Sequence, residues 1–410
     1  MYALLYAYTG HVGANSIREA LEIAQIGEYL AIEGCSAACI KWVGDRLTAE
    51  ASGAQASTST DEPAFLQLYG WDALSSCTAP GLAAILASTE PQLLGHFSDA
   101  LVTLNTPALR RQLQGLGAAG LEALLQSDAF GTDSEASILL LLADWMSINW
   151  RRTDPAMRKR LCGLVRLAQL SAASNAGVLV PLAWDFQATG GSSSAGWFPI
   201  TAPEASHLAY WASSGASDQQ DMARVDVGDW FSTHPRPQCI PAGGLELRWG
   251  IAREELQRAV EGRQPGELVP VIATFDSGLL SVLANGLEWQ LLLEVEGGTD
   301  AAHVRYSGRL PAAFSPPGSC LAAGGSAEGL RYRAELQARL TVHCWDGPEA
   351  PCSRVFDIAS VVLGGRGNTV LKALPLSKPP LGSGGPLGPW ASYLGPDGRL
   401  TGSITLLPHK

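Results

Sequence analysis

Cysteine and histidine, the residues that most often bind metals, occur in two suggestive spacings. Cys35 and Cys39 are four residues apart, which places both thiols on one face of a helix. His343, Cys344 and Cys352 come closest to half of a zinc site, but no second half with ligand spacing accompanies them. The sequence therefore predicts no metal site and no cofactor, and it favours reduced, mostly buried thiols.

Glycine-rich segments and scattered histidines give no catalytic pattern. Gly10-x-x-Gly13 and residues 364–367 do not follow a strand and open a helix, as a phosphate-binding loop would. The glycines and serine at 190–192 lack the strand–turn–helix context of a nucleophile elbow. We therefore predict that the protein is not an enzyme. A hydrolase is the open alternative, and a pocket joining His303 or His343 to an acid and a nucleophile would favour it.

Length and charge limit the remaining classes. The chain has 410 residues, of which 46% are hydrophobic, enough for two or three packed domains. Its net charge of −11 argues against nucleic-acid binding, which needs clustered Lys and Arg. No apolar run approaches the ~18 residues of a membrane span, and the N-terminus lacks the basic leader of a signal peptide. We expect a cytoplasmic or nuclear protein that binds neither nucleic acid nor membrane.

Helical signals dominate the first 171 residues. Ser16 and Glu19 form the pattern of a capping box, and Gly34 separates the helix that follows from a second one. Residues 49–61 predict a flexible linker, and residues 65–171 predict an all-α domain. The expected core stripes are Ile17, Leu21, Ala24, Tyr29 and Leu30 on the first helix and Cys35, Cys39, Ile40 and Val43 on the second.

The chain changes character from about residue 236. Before that point, residues 188–196 predict a mobile loop and residues 205–211 a weak helix. Beyond it, short alternating runs bounded by Gly and Pro predict an antiparallel β-sandwich. The runs lie at 245–249, 330–336, 339–342 and 400–407, with a turn at Pro396-Asp397-Gly398. The predicted fold class is a multidomain α+β protein.

Two segments resemble a known pair of domains. Residues 6–10 (Tyr-Ala-Tyr-Thr-Gly), the helix with Leu21-Glu22-Ile23-Ala24, and residues 28–39 resemble the last third of a BTB/POZ domain. Asp133-Ser134-Glu135, the leucine-rich helix to Trp145 and residues 158–170 resemble the BACK domain that follows BTB in cullin adaptors.

A third, fainter likeness lies in the C-terminal part. Residues 236–240, 245–255 and 390–407 resemble the TRAF/MATH-like β domain of plant POZ/BTB proteins of the light-response type. The three likenesses together predict a BTB C-terminal part at 1–48, a BACK-like helical domain at 62–215 and a β-sandwich domain at 236–410.

The resemblance implies a substrate receptor of a cullin-RING ubiquitin ligase. The BTB part would bind the cullin scaffold, the BACK helices would extend that contact, and the β domain would present a protein substrate for ubiquitination. The alternative is a scaffold or regulatory binding protein with a BACK domain and no ligase role.

The sequence departs from the family at its start. Few residues precede Tyr8-Thr9-Gly10, so the BTB strands and first helices are missing, which makes an ordinary BTB homodimer doubtful. We expect this loss to expose the apolar faces of Ile17, Leu21 and Ile40, unless the remnant packs on the BACK helices or the chain is a fragment of a longer product.

Six residues are candidates for partner contact. Tyr8 and Tyr29 could instead be core tyrosines, and Trp390 could instead plug the sandwich. Trp145, Trp150 and residues 139–142 are expected in the core. The candidates are Tyr8, Arg18, Glu28, Tyr29, Trp345 and Trp390.

Overall fold

The chain folds as two compact units. Unit 1 comprises Met1–Phe130 and Arg151–Leu164, and unit 2 comprises Gly131–Trp150 and Val165–Lys410. Unit 1 is built of helices in its described part, whereas unit 2 combines helices with two antiparallel sheets. The α+β class is confirmed at this level. The structure is a computed structural model that describes residues 2–52, 62–77, 79, 81–222, 234–261, 264, 266–296, 301–323, 332–345, 352–363, 368–376 and 387–408.

Helices account for most of the first 222 residues. Short tighter or wider helical turns join several of them, as at Asp72–Ser76 and Asn175–Leu179. The α-helices are α1 Tyr2–Thr9, α2 Ile17–Tyr29, α3 Cys35–Ala51, α4 Ala64–Tyr69, α5 Leu82–Phe97, α6 Ala100–Asn105, α7 Pro107–Gly115, α8 Ala118–Gln126, α9 Glu135–Asn149, α10 Pro155–Cys162, α11 Ala172–Ser174, α12 Val180–Thr189, α13 Ala202–Ser213, α14 Ala216–Met222, α15 Arg253–Val260 and α16 Cys320–Ala323.

The predicted helix pair at the start of unit 1 is confirmed as α2 and α3. The Ser16 hydroxyl accepts a hydrogen bond from the Glu19 amide, as the capping pattern predicted, but the Glu19 carboxylate takes the amide of Asn15 at 2.8 Å rather than that of Ser16. Gly34 begins α3 with a positive φ of 73°, which a side chain would strain. Gly27 lets α2 and α3 approach closely, because a Cβ there would lie 2.6 Å from the Cys35 sulfur.

The expectation that the first helices expose their apolar faces is wrong. Ile17, Leu21 and Ile40 are each at most 3% exposed. Within unit 1, α4 packs on α2 and α3, and a Cβ at Gly81, just before α5, would lie 3.7 Å from Ile40. The helices that follow in the chain therefore cover the α2–α3 pair.

The leucine-rich helical region is confirmed, with local signals at several helix starts. Asp99 caps α6 through the Val102 amide, and Asp154 caps α10 through the Met157 amide. In unit 2, α9 is buried on nearly all sides, including Leu139–Leu142 and Trp145, as expected. Trp150, which we expected in the core, is only half-buried.

Two predicted loops need revision. Residues 188–196 were expected to be mobile, but Ala195 and Gly196 are buried, and a Cβ at Gly196 would collide with the Thr189 hydroxyl. In the predicted linker, α3 continues to Ala51, and residues 53–61 lie outside the described part of the chain. The weak helix near 205–211 is confirmed as α13, which starts with a capping box of Thr201 and Glu204.

Unit 2 contains two antiparallel sheets. Sheet A has the order β3-β1-β10-β7-β8, and sheet B has the order β2-β5-β6-β9 with β4 paired to β5. Burial alternates along β5, so one face of that strand packs inward. The strands are β1 Leu245–Ile251, β2 Leu268–Ile272, β3 Thr274–Phe275, β4 Val282–Ala284, β5 Leu287–Glu296, β6 Ala301–Arg309, β7 Tyr332–Cys344, β8 Cys352–Leu363, β9 Asn368–Pro375 and β10 Leu400–Leu406.

The predicted strands at both ends of this region are confirmed as β1 and β10. The run at 339–342 and the described part of the run at 330–336, from Tyr332 on, belong to a single strand, β7, which continues through an irregularity between Glu335 and Ala338. The turn at 396–398 is confirmed by the hydrogen bond from the Gly398 amide to the Gly395 carbonyl, 2.8 Å. The three predicted domains and their boundaries stay predictions.

Candidate functional site

An exposed stripe runs along α2 in unit 1. Arg18, Glu22, Ile26 and Tyr29 follow each other at spacings of three or four residues, so they share one face of the helix. Arg18 and Glu22 form an exposed ion pair at 3.8 Å, and Ile26 and Tyr29 are 44% and 88% exposed. We call these four residues the α2 stripe. It offers a charged pair and an apolar end with an aromatic ring.

Helix α1 adds a second exposed apolar face in the same unit. Its inner side is fixed by Ala3, which is buried, and by Tyr6, which packs on the cluster that holds Cys35. On its outer side Leu4 and Tyr8 are 53% and 89% exposed. We call Leu4 and Tyr8 the α1 face. Large rings this open in a packed helical unit are typical of contact surfaces.

The predicted contact residues of unit 1 therefore lie at the surface. The alternative that Tyr8 and Tyr29 are core tyrosines is wrong, and so is the expectation that Tyr29 and Leu30 continue the core stripe. The reason is that Tyr29 follows Ile26 by three residues and so lies on the exposed face of α2, whereas Leu30 lies just beyond the end of the helix. Glu28 is exposed, and its carboxylate accepts a hydrogen bond from the Ser36 hydroxyl at 2.9 Å.

The two tryptophan candidates of unit 2 differ in burial. Trp390 is 1% exposed, so the expectation that it lies at the surface is wrong and the alternative of a core residue is confirmed. Trp345 is half-buried. Its amide donates to the Ser392 carbonyl at 2.7 Å, and a Cβ at Gly395 would lie 3.2 Å from its ring. Trp345 therefore packs on the segment that ends in the 396–398 turn.

That segment lines a cleft in unit 2. The cleft has a volume of about 760 Å³, and its walls include Arg253 and Gln257 from α15 together with Leu394 and Asp397. Its lining mixes a cation, an amide and apolar groups, which suits a polar ligand or a peptide segment better than a purely apolar molecule.

Unit 2 also contains buried carboxylates, which sequence reasoning missed as a site. Asp133 accepts the amides of Ser134 and Asn285, the first at 2.9 Å and the second at 2.5 Å. Burial raises the pKa of Asp133, and the hydrogen bonds from Ser137 and from these amides oppose the rise. Asn285 and Gly286 have positive φ and form the two-residue turn between β4 and β5.

A buried ion pair lies two residues further along the chain. Glu135 and Arg236 approach to 3.3 Å with side chains that are 2% and 0% exposed, and the Arg166 amide donates to Glu135 at 2.8 Å. Burial raises the pKa of Glu135, and the charge of Arg236 lowers it. We call Asp133, Glu135 and Arg236 the buried polar cluster. Its oxygens accept protein donors, so its chemistry is that of a structural cross-link.

The only sequence signal for this cluster is the Asn285-Gly286 dipeptide, which is typical of a tight hairpin. Ser134 precedes α9 as its N-cap residue. The Asp133 carboxylate reaches the β4–β5 turn 152 residues away. The local sequence gives no signal of a hydrogen-bond partner so far away in the chain.

Metal and membrane signals are absent from the described residues. No group of three or more His, Cys, Asp or Glu side chains there is placed to hold a metal ion. His343 instead forms a hydrogen bond with the Thr401 hydroxyl at 3.0 Å. No acidic side chain takes part in this contact. No described helix combines the length and the apolar character that crossing a bilayer requires.

Comparison of the chain with protein-family models, with curated proteins and with solved structures found no match.

Proposed function

We propose that this chain is a protein-interaction adaptor that acts as a substrate receptor of a cullin-RING ubiquitin ligase, with the α2 stripe and the α1 face as its cullin-binding surface. The observation that carries the proposal is the exposure of Tyr8 and Tyr29, at 89% and 88%, on two helices that each bury residues on another face.

Exposed tyrosine rings can contribute binding free energy when a partner covers them. A tyrosine brings a large apolar area and one polar group while losing few rotamers, which is why Tyr and Arg are enriched at binding hot spots. The α2 stripe supplies Arg18, Ile26 and Tyr29 along one helix face, and a helical partner could pack against that face.

The resemblance to BTB, BACK and TRAF/MATH-like domains supports the remaining roles. In this proposal the helices that follow α3 extend the cullin contact. The two antiparallel sheets of unit 2 form a TRAF/MATH-like sandwich, and its 760 Å³ cleft beside Arg253 receives part of the protein substrate.

Titration calorimetry of the full chain against the N-terminal domain of a cullin tests the proposal. We expect Tyr8→Ala with Tyr29→Ala to weaken binding by at least about 30-fold, which corresponds to one hot spot of about 2 kcal/mol. Tyr210→Ala is the matched control, because Tyr210 is 60% exposed on α13 of unit 2. Equal affinity of the double variant and the control would contradict the proposed surface.

The fate of a bound partner distinguishes a ligase substrate receptor from a non-ligase scaffold. A substrate receptor raises the ubiquitination of a bound partner and lowers its abundance in cells. A scaffold binds its partner without either effect. A chain that binds no cullin and leaves its partner's abundance unchanged would overturn the ligase role.

A further inference from the structure

We propose that Cys344 and Cys352 form a reversible disulfide that fixes the end of the β7–β8 hairpin beside the wall of the unit 2 cleft. Cys344 ends β7, Cys352 begins β8, and the two residues lie directly opposite each other in the antiparallel register. Opposite residues in such a pair have Cα atoms about 4.5–5.5 Å apart, inside the roughly 4.4–6.8 Å that a disulfide spans. Both thiols are free in the structure. Because opposite residues already have the spacing of a disulfide, the bond can form without moving the strands.

The surroundings give the two thiols different roles. Cys352 is exposed and meets an oxidant first, whereas Cys344 is 8% exposed. The Cys344 thiol is within hydrogen-bonding range of both Cys352 and Arg354. Burial raises the pKa of Cys344, and the nearby Arg354 guanidinium works against that rise. Cys344 needs to react only in the second, intramolecular step, where proximity replaces a high thiolate fraction.

The reaction balances with a low-molecular-weight disulfide such as oxidised glutathione as the oxidant. The Cys352 thiolate attacks one glutathione sulfur, which forms a mixed disulfide and releases one glutathione thiolate. The Cys344 thiolate then attacks the Cys352 sulfur, which forms the protein disulfide and releases the second glutathione thiolate. Two protein thiols are oxidised, one glutathione disulfide is reduced, and the two thiol protons pass to the released thiolates.

The hairpin end is tied to the segment that lines the cleft. The Trp345 amide, next to Cys344, donates to the Ser392 carbonyl at 2.7 Å, and the Trp345 ring faces Gly395. In the same segment, the Tyr393 hydroxyl donates to the Pro375 carbonyl at 2.9 Å. Gly395 itself lines the cleft. A covalent bond at the hairpin end therefore restrains the cleft wall.

Cys320 is the matched control, because it is also exposed. Its thiol meets the Pro181 carbonyl at 3.5 Å. Burial of the thiol is the main cause that raises the pKa of Cys320 to about 11, and the nearby Asp185 carboxylate adds to the rise. The thiol is therefore protonated at neutral pH and a poor nucleophile.

The test treats the folded full chain with oxidised glutathione, blocks the remaining thiols and maps the unreduced peptides by mass spectrometry. We expect a linked peptide with Cys344 and Cys352, two hydrogens lighter than the reduced pair. It should vanish in Cys352→Ser and persist in Cys320→Ser. In Cys344→Ser a glutathione adduct should accumulate at Cys352. If that variant fails to fold, the same adduct should appear transiently in the wild type at early times.

If Cys344 and Cys352 are both still reduced, and therefore blocked, after the folded chain has been treated with excess oxidised glutathione, the proposed disulfide is overturned. Hydrogen exchange tests the consequence for the cleft. Peptides covering residues 387–399 should exchange more slowly in the oxidised chain than in the reduced chain, with the difference lost in Cys352→Ser. Equal exchange in the two states would overturn the restraint on the cleft wall.

Discussion

The two units bury different kinds of polar residue. In the described part of unit 1, the buried polar side chains are Thr89, Thr103 and Thr153. In that of unit 2 they include charged groups. Thr103 bonds the nearby Phe97 carbonyl, whereas Asp133 and Asp185 of unit 2 bond residues far away in the chain. The charged residues buried in unit 2 are Asp133, Glu135, Asp144, Asp185, Arg236 and Glu294.

This difference indicates two ways to specify a fold. Unit 1 relies on apolar helix stripes and local caps, and its specificity is spread over many small contacts. Unit 2 adds a few long-range polar contacts, such as Asp133 to Asn285 and Asp185 to Ser319. A buried polar group that loses its partner costs far more than an average contact, so unit 2 should be sensitive at single positions where unit 1 is tolerant.

Arg236→Met should give the largest effect, because it leaves the Glu135 carboxylate buried without its cation. We expect a loss of about 3–5 kcal/mol in the free energy of unfolding, measured by urea denaturation. Arg248→Met is the control, since Arg248 pairs with Glu246 at 3.6 Å on the surface and such pairs contribute about 0–1 kcal/mol. Equal losses in the two variants would remove the contrast between the units.

Gly286→Ala should come next. A Cβ at Gly286 would lie 2.7 Å from the Ala136 Cβ at a φ of +69°. Gly278 has a similar φ of +78° and nothing within 4 Å of its would-be Cβ, so Gly278→Ala measures the backbone strain alone. We expect Gly286→Ala to lose about 1–3 kcal/mol more than the control by the same denaturation assay. A matching loss would show that the turn does not need its close approach to Ala136.

The pH dependence of stability should follow Asp133. Burial raises the pKa of Asp133 above the ordinary 3.8, so the folded state binds its proton more tightly than the unfolded state does. The stabilisation is complete below the ordinary pKa and is lost as pH rises through the raised value, by about 1.4 kcal/mol per pKa unit. Urea denaturation from pH 3 upwards should show this slope in the wild type relative to Asp133→Asn. A wild-type slope of the opposite sign would contradict the cause.

Tyr29→Ala should give the smallest change in stability, within about 0.5 kcal/mol, because the ring is 88% exposed. Leu21→Ala, on the buried side of the same helix, should cost about 2–5 kcal/mol. Thermal unfolding of the two variants measures the difference. A costly Tyr29→Ala would mean that the α2 stripe belongs to the core of unit 1 rather than to a binding surface.

The sequence predicted unit 1 better than unit 2, because unit 1 depends on local signals and unit 2 depends on contacts between residues far apart in the chain. Helix spacing and Gly34 are local signals, so the α2–α3 pair was predicted, although α3 continues to Ala51 in the predicted linker. Alternation also indicated β10 and parts of β7. The exposure of Tyr29 was not predicted, although its spacing of three from Ile26 places it on the exposed face of α2 rather than beside Ile17 and Leu21.

The site of unit 2 could not be predicted from local patterns. Arg236 had no acidic partner nearby in the sequence, because Glu135 is 101 residues away in the chain. Strands β2 to β6, β8 and β9 were also not predicted, although burial alternates along β5. Long-range polar pairs carry no periodic signal, and only the three-dimensional structure brings them together.

The most direct test of the adaptor proposal is hydrogen exchange of the full chain with and without the N-terminal domain of a cullin. The account predicts slower exchange, on binding, in peptides covering residues 2–9 and 17–30, with peptides of unit 2 unchanged. Protection confined to unit 2, or no protection at a cullin concentration far above that of the chain, would contradict it.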